Sequence, residues 1–336
     1  MRKLIFAAAA AAALLSGIWF AGAWGMKRAI SNWFEMQREA GWTASHSDLR
    51  TVGYPFRFDT TISEPELAVS ESGLGWNAPF VQILMLGYQP NRLIAVWPER
   101  QTIETRNQQV TLTSERMRAS IGFQGFLPGK IDRITAVAER IDLVSTADWG
   151  LFAEKAQIST RRTAGKSSSH DLAFEADGAK PSGGLLRKLD PTGLLPETIE
   201  TLRADATIGF ESVAGDSETG GPAVPVISDI ALNDMRMTWG RLDLQAAGNL
   251  AVDRNGTPEG RITLKASNWR EILDMALDSG LAPRDLQSAL ENGLELLAFL
   301  GGSPNTLEVP LNFRDGLVSL GPIPLGKAPR LRLAGS

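Results

Sequence analysis

The sequence of 336 residues contains no cysteine and only two histidines, His46 and His170. Without cysteine the chain has no disulfide, thiol nucleophile, iron–sulfur cluster or cysteine-ligated zinc site. The two histidines are far apart, and neither has the spacing typical of metal ligands, which disfavours imidazole metal sites and catalytic triads. The composition therefore favours a protein that is not an enzyme, and no catalytic residue, metal site or cofactor is predicted.

Basic residues are also outnumbered by acidic residues. The chain carries 34 Lys and Arg against 38 Asp and Glu, a formal net charge of −4. Nucleic-acid binding requires a clustered basic surface, so no nucleic-acid partner is expected. Hydrophobic residues make up 43% of the sequence, which is enough for a folded core and excludes a largely disordered chain.

Common enzyme motifs are missing or incomplete. Gly165-Lys166-Ser167 imitates the end of a phosphate-binding loop, but Thr160 occupies the position at which that loop requires a glycine. The nucleophile motif G-x-S-x-G does not occur. A hydrolase that uses carboxylates is kept only as a third hypothesis, because it needs two acids that converge in a pocket.

The one long hydrophobic run occupies residues 4–26, contains no charged residue and follows Arg2 and Lys3. As a helix it would be about 34 Å long, enough for a hydrocarbon core of about 30 Å. Trp19 and Trp24 lie toward its end, where aromatic residues commonly meet the membrane surface. The run therefore predicts a single-pass signal anchor, with the bulk of the chain exported.

A cleaved secretory signal is the alternative, because Ala21-Gly22-Ala23 matches the small-residue cleavage pattern. In both interpretations the part after residue 26 is exported. That part has 32 basic and 38 acidic residues, a net charge of −6. If it binds a lipid, we expect the apolar chains rather than an anionic headgroup to be held.

Helical spacing of Ile30 and Phe34 predicts that the helix continues through residues 27–40 and ends at Gly41. From Trp42 onward apolar and polar residues alternate, and turn residues separate the segments, as in antiparallel meanders. The chain is therefore expected to be mainly β with some α (α+β), as one large curved antiparallel sheet or as two meander lobes. Strands are predicted at residues 56–62, 80–86, 92–97, 109–113, 117–123, 140–144, 155–159, 202–210, 227–239, 242–252, 307–313 and 317–320.

Three further helices are predicted after residue 190. A short one lies around residues 194–199, and a second covers residues 268–277 with Ser267 as its cap. The third covers residues 284–300 and carries a leucine stripe. The last two are expected to pack on the sheet.

Two lobes are predicted on either side of a small, polar and glycine-rich segment at residues 212–222. The N-terminal β-rich lobe would cover residues 27–211. The C-terminal lobe, with its two helices, would cover residues 223–336.

Two segments carry a family resemblance. The sequences GYPFRF at residues 53–58 and DGLVSLGPIPLGKAPRL at residues 315–331, together with the N-terminal anchor, resemble an uncharacterised family of bacterial envelope proteins, domain-of-unknown-function family 2125 (DUF2125). More distantly, the pattern is similar to AsmA-type envelope proteins, whose long β-sheets form apolar grooves linked to phospholipid traffic. The resemblance implies the bacterial inner membrane and the periplasm, and it brings no catalytic residue to this chain.

The leading hypothesis is a non-enzymatic, membrane-anchored periplasmic protein that binds a lipid or acyl chain in an apolar sheet groove, as a participant in envelope lipid traffic. The alternative is a scaffold in an envelope assembly that binds another protein through the same face or a sheet edge. The candidates for lining a groove are Trp42, Tyr54, Phe56, Phe58, Trp239 and Leu297.

Overall fold

The computed structural model describes residues 1–69, 73–126, 129–166, 168–191, 193, 195–213, 224–278, 284–300, 303–320 and 323–331. Its contacts divide the chain into two compact units, Met1–Asp148 and Trp149–Ser336. Each unit is built mainly of antiparallel strands, so the predicted mainly β class is confirmed.

The boundary between the two units, at residues 148 and 149, is not the predicted boundary at residues 212–222. Most of that predicted segment lies outside the described residues. The strands before and after that segment pair with each other inside the second unit.

The described part of the first unit consists of one long helix followed by short and medium strands. Its elements are α1 (Arg2–Glu39), β1 (Trp42–Ser45), β2 (Asp48–Val52), β3 (Arg57–Ser63), β4 (Glu66–Val69), β5 (Leu74–Asn77), β6 (Phe80–Leu86), β7 (Gln89–Trp97), β8 (Arg100–Glu104), β9 (Gln109–Thr113), β10 (Arg116–Phe123) and β11 (Ile131–Ser145).

Helix α1 combines the apolar run and the predicted helical extension in one element. Alanines 7–13 provide seven consecutive strong helix formers near its start. The helix is long and apolar enough to cross a membrane. It ends as predicted before Gly41, whose φ of +83° lies in the left-handed region that glycine adopts without strain.

In the sheet of the first unit, the two end strands are neighbours in the chain. Its strands pair in the order β2, β3, β6, β7, β10, β11, β9, β8, β5, β4, β1, and every ladder is antiparallel. Only His46 and Ser47 separate β1 from β2 in the chain, although these strands are the two ends of that order. The two edges are therefore close together, and α1 packs against β1, β2 and β3 at this place.

The core beneath α1 is apolar. Ile30 and Phe34 of the helix are buried with Ala44 of β1 and Ile62 of β3. Further toward the N-terminus, a second cluster joins Trp19 and Ala23 of the helix to Phe58 of β3. The half of α1 nearer its C-terminus is thus part of the folded unit.

The second unit has longer strands and short helices. Its described elements are β12 (Trp149–Arg162), β13 (Ser169–Ser182), α2 (Gly183–Leu189), β14 (Ile199–Val213), β15 (Val224–Trp239), β16 (Leu242–Val252), β17 (Pro258–Ser267), α3 (Trp269–Asp278), a single 3-10 turn (Arg284–Leu286), α4 (Gln287–Leu300), β18 (Thr306–Arg314), β19 (Leu317–Leu320) and β20 (Ile323–Lys327).

The strands β12 to β20 pair in chain order, each antiparallel to the next. This meander forms because strands that follow one another in the chain pair with each other, with α2 lying between β13 and β14 and α3 and α4 lying between β17 and β18. Those two helices pack on the sheet as predicted, with Leu273, Leu277, Leu290 and Leu294 buried in one core.

The predicted short helix around residues 194–199 is wrong. The helix of this region is α2, and Ile199 already begins β14, while Leu194 lies outside the described residues. Pro196 lacks an N–H and disfavours a helical conformation at the residue before it. Its carbonyl instead accepts a hydrogen bond of 2.7 Å from Nε1 of Trp239.

The predicted cap of the next helix is displaced by one residue. Ser267 still belongs to β17, and Asn268, with a φ of +57°, is the residue before α3. The carbonyl of Asn268 accepts a 3.0 Å hydrogen bond from the N–H of Glu271, the acidic residue expected in the first turn.

Candidate functional site

The strand register of the second unit sorts its side chains into an apolar face and a polar face. Residues opposite each other in an antiparallel ladder point to the same side of the sheet. In the central row, Phe174 of β13 lies opposite Ile158 of β12 and Ala204 of β14. The row continues across the sheet through Met235, Ala246, Leu264 and Val309. Seven successive strands therefore place an apolar residue in this row.

The rows on either side repeat this pattern. Beginning at Thr160, one row runs through Leu172, Ala206, Leu232, Gly248, Ile262 and Leu311. On the other side of the central row are Ala156, Ala176, Leu202, Met237, Leu244, Ala266 and Leu307. Apart from the Thr160 hydroxyl, the side chains of these three rows are apolar, whereas the next row beyond Thr160 contains Arg162 and His170 opposite Ile208.

The opposite face carries polar and charged side chains. A single row across it contains Gln157, Glu175, Arg203, Arg236, Gln245, Lys265 and Glu308. Arg203 forms an exposed ion pair with Glu175, in which Nη2 and Oε1 are 3.4 Å apart. Two open clefts of about 420 and 740 Å³ are lined chiefly by side chains of this face. Mixed charge and openness are typical of a solvated surface, not of an acyl-chain site.

Hydrogen bonds on the polar face lower the pKa of Asp171 below its ordinary value of 3.8, and the Thr163 hydroxyl is the largest cause. Its Oδ1 accepts hydrogen bonds from the hydroxyls of Thr163 at 2.7 Å and Thr207 at 3.2 Å. Its Oδ2 accepts a hydrogen bond of 3.2 Å from Nε of Arg161. Because the donors come from β12, from the residue that follows it and from β14, this carboxylate links the strands on either side of β13.

Helices α3 and α4 cover only one end of the apolar face. The strand residues in the core beneath them come from β16 to β20, such as Leu244, Ala266 and Val309. On β12 to β15, by contrast, Phe174, Ala204 and Met235 are half-buried and Ile158 is exposed. We call this part the open apolar face. Its residues are Ile158, Leu172, Phe174, Leu202, Ala204, Ile208, Ile230, Leu232, Met235 and Met237, with the buried Ala206 between them.

The open apolar face is large enough for an extended hydrocarbon chain. Strands β12 to β15 contain 14 to 16 residues each. The named residues run from Leu202 to Ile208 on β14 and from Ile230 to Met237 on β15. At about 3.3 Å per residue and about 4.8 Å between strands, the open apolar face is therefore about 20 Å long and about 15 Å wide. Removing apolar surface from water contributes about 25 cal/mol per Å², so a chain laid along it binds without a polar contact.

The predicted lining residues of the second unit do not lie on the open apolar face. Trp239 ends β15 on the same side of the sheet, but it is only 2% exposed and is fixed by its hydrogen bond to the Pro196 carbonyl. Leu297 is half-buried on α4 and packs against the helical core. Both are therefore packing residues at the margin of the apolar face.

The remaining predicted residues belong to the first unit, where Trp19 brings two of them together. The Trp19 ring stacks on Phe58 with ring centroids 6.0 Å apart and meets the edge of Tyr54 at 5.6 Å. Trp42 lies apart from this group, half-buried on the edge strand β1 opposite Val69. Phe56 is exposed in the turn before β3.

The turn between β2 and β3 therefore lies against α1. The Nε1 of Trp19 donates a 2.8 Å hydrogen bond to the carbonyl of Arg57. The hydroxyls of Ser16 and Tyr54 are also 2.8 Å apart. Gly22 allows this approach, because a Cβ at that position would come within 2.6 Å of Cζ of Phe58.

Sequence reasoning selected aromatic residues and missed the small and aliphatic residues of the open apolar face. Alternation within a strand showed that each strand has an apolar side. It could not show that Phe174, Ala204 and Met235 share one row, because the register between strands and the bulges near residues 206 and 233 are set by tertiary pairing.

Within the described ranges, no group of three or more His, Asp or Glu side chains is arranged to hold a metal ion. The two histidines contact aromatic rings: His46 lies 4.7 Å from Phe34 and His170 lies 6.1 Å from Phe210, measured between ring centroids.

Comparison with known proteins provides a family and no function. No curated protein matches the sequence at a significant level. A family profile described as an uncharacterised protein conserved in bacteria, DUF2125, matches residues 19–329. The match begins at Trp19, within α1, and covers all the strands of both units. The chain therefore belongs to the DUF2125 family of bacterial proteins.

Proposed function

We propose that this protein is a non-enzymatic, membrane-anchored envelope protein that binds a lipid or acyl chain on its open apolar face. The observation that supports the proposal is the set of three adjacent, largely apolar rows on one side of the second unit, of which α3 and α4 cover only the end at β16 to β20. Soluble proteins rarely leave so large an apolar surface without a ligand or partner.

The packing of α1 supports a retained anchor over a cleaved signal. Trp19 and Ala23 are buried with Phe58, and the predicted cleavage site, Ala21-Gly22-Ala23, lies within this packed helix. Cleavage after Ala23 would remove the Trp19 ring and expose Phe58. A retained α1 would lie in the bacterial inner membrane, and the short basic start of the helix favours a periplasmic location for the two units.

Lipid extraction tests the proposal. The full chain is purified in detergent from cells, exchanged into a lipid-free amphipol and analysed by mass spectrometry for retained lipid. We expect stoichiometric phospholipid or fatty acid. A fluorescent fatty acid added to delipidated protein should bind with saturation.

A matched pair of variants assigns the site. Ala204 lies on the open apolar face of β14, and Ala173 lies on the polar face of the neighbouring strand β13. Ala204→Gln places an amide among Phe174 and Met235 and should weaken fatty-acid binding at least tenfold, because the amide loses its hydration there. Ala173→Gln adds the same group to a solvated surface and should leave binding unchanged.

Equal binding by both variants, or no retained lipid, would count against the proposal. In that case the scaffold alternative gains support if crosslinking in cells captures a stoichiometric protein partner at the open apolar face or at a sheet edge.

A further inference from the structure

The first unit meets α1 inside the apolar run, not beyond it. The contacts Ser16–Tyr54 and Trp19–Arg57 place the turn between β2 and β3 beside residues 16–19 of the helix. The buried residues of α1 begin at Trp19, whereas the apolar side chains before it, such as Leu14 and Ile18, are exposed. Residues 4–18, called the free segment, are therefore the uncharged part of α1 that precedes its buried residues, and Ser16 within it contacts the Tyr54 hydroxyl.

This free segment is too short for an undisturbed bilayer. Fifteen residues form a helix about 22 Å long, whereas the hydrocarbon core is about 30 Å thick. The bilayer must therefore be about 8 Å thinner around α1 for the sheet to stay outside its hydrocarbon core. A turn with unpaired backbone groups is costly in hydrocarbon but is tolerated in the polar headgroup layer. The turn beside Ser16 therefore lies in that layer when α1 spans the membrane.

The surface at this depth has the side chains that an interface favours. This surface is formed by the turn between β2 and β3 and by the turn between β6 and β7. The two turns are joined by a 2.8 Å hydrogen bond from the N–H of Gly87 to the carbonyl of Phe56. We call the exposed aromatic residues of these turns and of the adjoining helix the aromatic rim. Its residues, each more than half exposed, are Phe20, Trp24, Tyr54, Phe56 and Tyr88.

Exposed aromatic rings cost free energy in water and are concentrated at headgroup depth in membrane proteins. The guanidinium of Arg28, one turn further along α1, lies 5.5 Å from the centroid of the Trp24 ring. At headgroup depth this cation would meet lipid phosphates. The composition of the rim thus agrees with the depth that the helix geometry requires.

We infer that the aromatic rim is a lipid-contact surface that inserts into the headgroup layer of the membrane crossed by α1. The inference rests on the proposed anchoring and adds a second point of attachment, which fixes the tilt of the first unit on the membrane. The occupant is the phospholipid bilayer itself.

Spin labels test this inference, because the chain contains no cysteine to remove. Single variants Phe56→Cys and Tyr88→Cys of the full chain carry a nitroxide and are reconstituted into phosphatidylethanolamine–phosphatidylglycerol vesicles. Leu14→Cys on the free helix is the control for lipid. Val144→Cys, an exposed apolar site on β11, is the control for water. Accessibility to oxygen and to a neutral nickel chelate is measured by power saturation, and unfolding temperatures establish that each variant is folded.

We expect the labels at residues 56 and 88 to be at least threefold less accessible to the nickel chelate than the label at residue 144, and more accessible to oxygen. If the labels at residues 56 and 88 are as accessible to both reagents as the label at residue 144, while the label at residue 14 lies in lipid, the inference is overturned and the anchor stands. Labels at residues 56 and 88 that are shielded from both reagents would also overturn the inference, in favour of a protein partner. A water-exposed label at residue 14 would instead contradict the anchoring itself.

Discussion

At the scale of single residues, Gly22 determines how closely α1 approaches the sheet. A Cβ at this position would meet the Phe58 ring, which already stacks on Trp19, whereas a Cβ at Gly25 meets nothing within 4 Å. Gly22→Ala should lower the free energy of unfolding by about 1–3 kcal/mol relative to Gly25→Ala, because both gain the same helix propensity and only the first is overpacked. Thermal unfolding of both variants in nanodiscs measures the difference, and equal midpoints would show that α1 does not pack here.

Asp171 gives the second prediction at this scale. Its pKa is lowered, chiefly by the Thr163 hydroxyl, so the ionised form is favoured in the folded protein. The stabilisation is present above the ordinary pKa of 3.8 and is lost as the pH falls through the lower folded value. Asp171→Asn should therefore cost about 1 kcal/mol of the free energy of unfolding at pH 7.

Denaturant titrations at several pH values test this pattern. The stabilities of the Asp171→Asn variant and the unmodified protein should converge as the pH falls below 3.8. Thr163→Val should weaken the unmodified protein more than it weakens the Asp171→Asn variant. A stability difference between the variant and the unmodified protein that does not change with pH would contradict the assignment of the effect to charge.

At the scale of secondary-structure elements, α4 illustrates how well periodicity predicts packing. The leucine stripe predicted from the sequence includes Leu290 and Leu294, and both are buried against the sheet. Leu290→Ala should cost about 2–5 kcal/mol of the free energy of unfolding, because the side chain is 1% exposed. Leu296→Ala, on the same helix but 59% exposed, should change it by less than about 0.5 kcal/mol. Chemical unfolding measures both, and equal losses would contradict the packing of α4.

Most elements of this chain are predictable from local sequence. The strands at Leu242–Val252 and Leu317–Leu320 have their predicted bounds, because turns and alternation mark both ends. Strands such as β11 and β12 extend well beyond the predicted segments, since ladder hydrogen bonds hold residues whose alternation is irregular. The helix predicted around residues 194–199 does not form, because Pro196 lacks the N–H that a helix requires and β14 begins at Ile199.

At the scale of the whole molecule, the structure of each unit depends on which strands pair and in which register, and a single sequence does not show either. In the first unit, the two edge strands β1 and β2 come close together only after a series of pairings between strands that are not consecutive in the chain, and α1 packs against both. The open apolar face of the second unit depends on the registers of three successive strand pairs, β12 with β13, β13 with β14 and β14 with β15. The sequence-predicted candidates Tyr54 and Phe56 lie instead among the exposed aromatic residues of the first unit.

Photocrosslinking in living cells tests lipid binding by the open apolar face most directly. A benzophenone amino acid replaces Phe174 on that face or, as the control, Glu175 next to it on the polar face, and adducts formed on irradiation are identified by intact-protein mass spectrometry. We expect a lipid adduct from position 174 and none from position 175. A protein adduct from position 174, or equal lipid labelling from both positions, would contradict the assignment of the face to lipid.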